Sequence, residues 1–383
     1  MGRRKRIGLF FSYNEDWIGG SYYMLNLIEA LKLLPPDEQP HVTIFYTEDK
    51  DVRSVQVLNY PGIEFERVKN VVHPIQKALN FLSRKVSRKR IFISRLHKKI
   101  PKNYFDALFP MPLYFDSSIS KRLIYWIPDF QDVHLPQFFS DRGLAWRSFS
   151  RSYIANSNES VIFSSCDAQK DFNVLQPDSK VKQYVVPFAV THPVYDTIDI
   201  EQLRTKYKLP PAYFFCPNQF WIHKNQLVIL EAIKKIKDVF KEDIKVVFSG
   251  KEYDRRTGQS YFDELKKYVK KKGIENNVLF LGFIDREDQL AIMKNAVAVI
   301  QPSLFEGWST VIEDAKSMNQ NIIASNLNVN MEQLGDKAVF FDPRNSDSLA
   351  NAIKDFKKTP VQFNYDISRL KFARDFLNVL NTL

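Results

Sequence analysis

The chain has 383 residues, 44% of them hydrophobic and 14% aromatic, with 12 Gly and with 55 Lys+Arg against 44 Asp+Glu. At roughly 100–200 residues per domain, this length predicts two or three domains with their own cores, and the composition excludes collagen-like and disordered chains. Nine Lys/Arg and no acid fall within residues 82–102, so most of the net charge of +11 is one local patch rather than a general bias.

The amino terminus is basic (Met1-Gly2-Arg3-Arg4-Lys5-Arg6), but the apolar stretch behind it, Ile7-Gly8-Leu9-Phe10-Phe11-Ser12, is too short for a signal-peptide core and reads as a strand. Arg6 stands where a myristoylation signal needs Ser or Thr. In the first half, apolar runs predict strands at 6–12, 41–46, 106–109, 122–127, 160–164 and 182–187. Between the second and third of these, Leu82, Val86, Ile93, Leu96 and Ile100 recur at roughly helical spacing with cations between them. That pattern predicts either an interfacial helix against an anionic membrane surface or a solvated charged face; no recognised nucleic-acid motif accompanies it.

Proline and polar residues interrupt the alternation at 188–205. Beyond it, strands are predicted at 212–216, 245–249, 278–281, 297–301, 321–325 and 338–341, and helices near 225–237, 259–272, 285–295, 310–319 and 346–357. Strand–helix alternation implies right-handed crossovers, and twelve strands imply two doubly wound parallel-sheet domains. No apolar run reaches the ~18 residues of a membrane span. Cys166 and Cys216 are too few for a disulfide framework or a thiolate metal site, which fits a reducing, cytoplasmic setting.

In open α/β sheets ligands bind beyond the carboxyl ends of strands, so the post-strand loops carry the chemistry. Residues 301–320 (QPSLFEGWSTVIEDAKSMNQ) read as a strand, a loop with Glu306 and Gly307, and a helix starting near Ser309-Thr310. Gly307 lets the backbone approach a ligand, and the amides of Trp308, Ser309 and Thr310 would form an anion site suited to phosphate. This segment resembles the signature of family 4 glycosyltransferases (glycosyl transferases group 1), retaining enzymes of the GT-B fold that use nucleotide-sugar donors. Their two acids, with seven residues between them, fall on Glu306 and Asp314. The resemblance implies that Glu306 contacts the donor sugar and that the second acid binds the ribose hydroxyls. Here that acid is Asp314 or its neighbour Glu313, although 310–313 also reads as a capping box that would occupy Glu313.

Residues 215–226 (FCPNQFWIHKNQ) resemble the family's phosphate loop, with Lys224 kept and the usual Arg replaced by Gln219; Lys251 after the next strand is placed to restore charge. The turn Leu281-Gly282-Phe283-Ile284 resembles the family's base-binding turn, which implies backbone contacts from Phe283 and Ile284. In the first half, Gly19-Gly20 resembles the glycine-rich first loop of GT-B enzymes, and spacing alone fits a structural turn equally well. Asp129 falls on the family's post-strand acid near the sugar phosphate or acceptor, and His134 follows within reach of the same role.

The resemblance thus implies a GT-B architecture, with an acceptor domain over 1–190, a nucleotide-sugar-binding domain over 191–360, an interdomain cleft, and a helix over 361–383 crossing back to the first domain. It implies a metal-independent retaining transfer from a nucleotide-diphosphate sugar to a saccharide, with a lipid-linked acceptor in cell-surface polysaccharide or lipopolysaccharide synthesis and no cofactor. The protein would then be cytoplasmic and peripheral on the inner face of the membrane. The lost arginine and the altered second acid leave two alternatives, an inactive relative that binds nucleotide or glycan as a partner subunit, and a nucleotide-sugar epimerase.

Overall fold

The computed structural model describes residues 3–14, 18–69, 95–96, 100–113, 115, 117–254 and 260–382. Most of the basic segment 82–102, including Leu82, Val86 and Ile93, lies outside them. Contacts divide the chain into two units: one takes Met1–Pro128, Ala145–Thr191 and Asp366–Leu383, the other Asp129–Leu144 and His192–Tyr365. Among the described residues no helix is long and apolar enough to cross a membrane.

The first unit holds strands β1 (Arg6–Phe10), β2 (His41–Tyr46), β3 (Ile63–Lys69), β4 (Arg95–Leu96), β5 (Ala107–Phe109), β6 (Ile124–Ile127), β7 (Ser160–Phe163) and β8 (Lys182–Val185). Five of them pair in the order β4-β3-β2-β1-β5, and three in the order β6-β7-β8. Parallel bridges Phe105↔Ser120 and Leu108↔Leu123 join the two sets at their edges. All pairings are parallel except β3 with β4. β3 is absent from the apolar runs of the sequence because IEFERVK alternates charge with half-buried apolar residues.

Gly19 and Gly20 lie in the first turn of the helix Ile18–Leu31 rather than in a loop before it, and neither has a positive φ. The glycine pair is thus part of the helical backbone, with Gly20 and Ser21 buried. On the same helix, Tyr23 is fully buried against Phe109, Trp126 and Phe372 and donates to Val186 O at 3.2 Å. Phe372 and Phe376 bring the last helix, Tyr365–Asn381, into this core from Asp366 onward.

The second unit is more regular. Its strands β9 (Phe214–Cys216), β10 (Val246–Phe248), β11 (Val278–Phe280), β12 (Val299–Gln301), β13 (Ile322–Ser325) and β14 (Val339–Phe341) form one parallel sheet in the order β11-β10-β9-β12-β13-β14. The four inner strands β10, β9, β12 and β13 are short runs buried on both faces, the pattern a parallel sheet under two helical layers requires, while the edge strands β11 and β14 are only partly covered. Phe214, Cys216, Val246, Phe248 and Ile300 meet helices Gln226–Lys235, Ser260–Lys272 and Ser346–Lys354. Phe215, Val247, Val299 and Ala324 meet helices Ile200–Tyr207, Arg286–Lys294 and Thr310–Ser317 on the other face. Burying each such aromatic or aliphatic side chain is worth about 1.5–3 kcal/mol, enough to fix the register.

Numbered from β9, this order is 3-2-1-4-5-6, whose direction of winding reverses between β9 and β12. The crevice where strand order reverses is where doubly wound sheets bind ligands.

Candidate functional site

The loops leaving β9 and β12 meet at that reversal. Lys224 ends a 3-10 turn, Ile222–Lys224, and Asn225 follows with φ 57 before the helix Gln226–Lys235. Asn225 Nδ2 donates to Pro302 O at 3.0 Å and to Pro343 O at 2.8 Å, tying three loops together. Lys224 Nζ then reaches Glu306 Oε1 at 2.7 Å. Two of the residues singled out in the sequence, 82 positions apart, are thus one ion pair, with side chains 17% and 9% exposed.

Gln301, at the end of β12 and fully buried, is the hub beneath the pair. Its Nε2 lies 2.6 Å from Glu306 Oε1, 3.1 Å from Ser309 Oγ and 3.2 Å from Ser303 Oγ, and its Oε1 accepts from Asn218 Nδ2 at 2.8 Å. Both bonds to Glu306 land on Oε1, so Oε2 has no hydrogen bond among the described residues. Gly250 closes the floor. Its φ is +153, and a Cβ there would stand 2.3 Å from Asn218 O, so no other residue fits.

The helix Thr310–Ser317 is capped by Ser309, whose Oγ accepts from Ile312 N at 3.3 Å. The capping box expected over 310–313 does not form, because Thr310 is already helical and the cap is one residue earlier. The Ser309 amide is also taken, donating to Gln333 Oε1 at 3.1 Å. The amides of Gly307, Thr310 and Val311 have no acceptor among the described residues, and they mark the positive end of the helix. The Trp308 ring lies 5.8 Å from Lys316 Nζ.

The two neighbouring acids have different surroundings. Glu313 is saturated: Lys316 Nζ and Gln333 Nε2 bond Oε1 at 2.7 and 2.8 Å, and the Tyr365 hydroxyl donates to Oε2 at 2.6 Å. Asp314, 1% exposed, accepts from Arg286 Nη2 on Oδ1 at 2.6 Å, and His192 Nε2 stands 3.8 Å from the same oxygen. Ser317 donates its one hydroxyl proton to Asp314 O at 2.6 Å, so towards His192, 2.7 Å away, it accepts and His192 Nε2 carries hydrogen. Asp314 Oδ2 has no hydrogen bond among the described residues. Burial, followed by Asp196 and Asp314, pushes the Tyr195 phenol above its ordinary value against the pull of Arg286, which keeps it neutral beside His192.

The remaining residues sit around this centre. Gln219 is half-buried and contributes its carbonyl, which accepts from Gln226 Nε2 at 2.9 Å. Lys251 Nζ lies 5.5 Å from the Phe283 ring rather than on Glu306, and Phe283 is 71% exposed. The half-buried side chain of Ile284 packs against the core. Gly282, at φ +70, accepts from Gly250 N at 2.8 Å and joins the turns after β10 and β11. Asp129 Oδ1 accepts from Gln131 N at 3.0 Å, and the His134 ring stacks on Phe305, next to Glu306, at 5.3 Å. Cys216, beneath the site, is no nucleophile: burial pushes its thiol up to about 12. Asn218, Gln301, Gln333, Arg286 and His192 were not singled out in the sequence; buried amides carry no motif, and only the sheet order brings them together.

Residues 199–372 match the family model for Glycosyl transferases group 1. Over 198 residues the chain is 24% identical to the O-antigen chain mannosyltransferase RfbU of Salmonella typhimurium, the aligned part being 51% of this chain and 53% of that protein. It is also 24% identical over 139 residues to the capsular polysaccharide biosynthesis glycosyltransferase CapH of Staphylococcus aureus, covering 36% of this chain and 37% of that one. The chain therefore spans about half the length of one of these curated relatives and just over a third of the other. The solved structure of Alr3699/HepE of Anabaena in complex with UDP and glucose superposes with a TM-score of 0.68 at 18% identity, over 99% of this chain and 100% of that chain. The fold is GT-B, built from two Rossmann-like α/β units as the sequence predicts.

Proposed function

We propose that the protein is a retaining glycosyltransferase that moves a sugar from a nucleotide-diphosphate donor to a saccharide acceptor, lipid-linked, in cell-surface polysaccharide or lipopolysaccharide synthesis. The observation that carries this reading is the Lys224–Glu306 pair at the strand-order reversal, beside the unoccupied amides of the Thr310–Ser317 helix start. The diphosphate sits against those amides with Lys224 beside it, so positive charge is in place where the departing nucleotide gains negative charge. No metal is required for that role. Glu306 Oε2 accepts from a donor-sugar hydroxyl, and Asp314 Oδ2, rather than the saturated Glu313, accepts from the ribose. The bond from the sugar's anomeric carbon to the phosphate oxygen breaks as the acceptor oxygen attacks on the same face, and the acceptor proton passes to the departing phosphate. No protein nucleophile takes part, and Asp129 and His134 face the acceptor.

The solved HepE structure with UDP and glucose and the polysaccharide-related names of the curated relatives support the donor class and the setting. Sugar transfer is to be measured with Glu306→Ala and Lys224→Ala; both are expected to fall at least a hundredfold, and full activity in both variants would refute the assignment. The basic segment 82–102 binds an anionic membrane surface and keeps a cytoplasmic enzyme at its acceptor. Replacing Arg88, Lys89 and Arg90 with Gln is expected to weaken sedimentation with phosphatidylserine vesicles; undiminished sedimentation would remove this part alone.

A further inference from the structure

We infer that Arg286 is a positioning residue for nucleotide recognition: it fixes the buried carboxylate of Asp314 so that Oδ2 accepts from the ribose hydroxyls of a nucleoside diphosphate, making the site selective for ribose over deoxyribose. The inference rests on the donor site proposed above and adds to it a residue outside the sequence motifs described for that site.

The first argument is electrostatic. Asp314 is 1% exposed, and a carboxylate so far from water keeps its charge only beside a cation. Arg286 supplies that cation on Oδ1 at 2.6 Å. The second is geometric, because the guanidinium is itself held from behind. Arg286 Nη1 donates to Gln289 Oε1 at 2.7 Å, and Gln289 Nε2 donates to Ser249 Oγ at 3.2 Å. Ser249 is fully buried directly after β10, so the carboxylate on one helix is anchored through Arg286 to the central sheet. A planar fork bonds two partners at fixed angles, which an ammonium does not.

The third argument is the position of Arg286 in its own helix. It is the first residue of Arg286–Lys294, at the positive end of the dipole, where a cation is unfavourable and where Glu287 and Asp288 follow as the expected acids. Helix stability therefore gives no reason for an arginine there, whereas the Asp314 carboxylate does. His192 and Arg286 both address Oδ1, and the other oxygen is left for a ligand. One charged acceptor facing two vicinal hydroxyls discriminates strongly against their loss.

The test is equilibrium binding of UDP, GDP and ADP, each against its 2′,3′-dideoxy counterpart, to the full chain and its variants. The unaltered chain is expected to prefer the ribonucleotide it binds best by roughly ten- to a hundredfold, the scale of hydrogen bonds to a charged acceptor. Arg286→Gln is expected to reduce that preference to the level of Asp314→Asn while leaving dideoxynucleotide affinity within about threefold, and Arg286→Lys to recover part of it. Dideoxynucleotide binding also reports an intact diphosphate pocket, so a folding defect is recognised by its loss. If Arg286→Gln fails that control, Arg286→Lys decides alone, since it too must lower the preference. A preference unchanged in the variants, or affinity for both nucleotide forms lost in equal measure, overturns the role of Arg286. No binding of any of the three diphosphates to the unaltered chain overturns the donor site itself, and this inference with it.

Discussion

Replacing Lys224 with Met tests whether the lysine compensates the charge of Glu306 at the strand-order reversal. At 2.7 Å the gross attraction is about 6 kcal/mol at an effective dielectric of about 20, and about 1.5 kcal/mol in water-like surroundings. With the partners 17% and 9% exposed, desolvation offsets much of it, and the loss on truncation is chiefly the charge left behind on Glu306. Gln301 still donates to that carboxylate at 2.6 Å, so the expected loss is about 1–3 kcal/mol. In a unit of this size that lowers the thermal midpoint by roughly 2–12 °C. Adding Glu306→Gln removes the stranded charge, and the double variant is expected to melt above Lys224→Met alone. The assay is thermal unfolding followed by circular dichroism at low protein concentration. A double variant that melts at or below the single one would refute the reasoning, because it would mean that Glu306 is not left uncompensated.

Gly250→Ala should lower the midpoint by an amount worth more than about 2 kcal/mol and abolish nucleotide binding, since its Cβ would stand 2.3 Å from Asn218 O at a φ of +153; unchanged melting and binding would contradict the close approach. Thiol alkylation at pH 8 should label exposed Cys166 and spare Cys216 until the chain unfolds, because burial holds that thiol at about 12. For Asp106, burial opposes ionisation, but the Lys121 ammonium, the Arg6 amide and Arg3 outweigh it and hold the carboxyl below its ordinary 3.8. Its contribution to stability is then full above that value and lost as pH falls through the lower folded one, so Asp106→Asn should be less stable at pH 7 and show a shallower acid decline in the melting temperature.

The second unit was largely legible because its strands are unbroken apolar runs: FFC, VVF and IIAS each bury both faces, and the helices between them show their own period. β3 was not, since a strand with charge at alternate positions imitates a surface loop. Lys224 and Glu306 were legible as separate loop residues, but their pairing depends on β9 and β12 being neighbours, a property of strand order and not of local sequence. The glycine pair at 19–20 falls in the first turn of a helix, a placement composition alone does not reveal, as glycine marks a loop only where the backbone needs its freedom. The cap at Ser309 shows the usual one-residue uncertainty of a helix start, with a chemical consequence, because it removes the capping role that competed for Glu313.

The adjacent acids on the Thr310–Ser317 helix point about 100° apart around its axis, and that angle separates an anchor from a recognition group. Glu313 clamps Tyr365, the last residue of the second unit before the backbone passes to the first, while Asp314 meets Arg286. A one-position shift of this helix's register would carry only one acid into the other's direction and would put Ile312 or Ala315 in the place it left. Which acid anchors and which recognises is therefore set by the register at which the helix leaves Ser309.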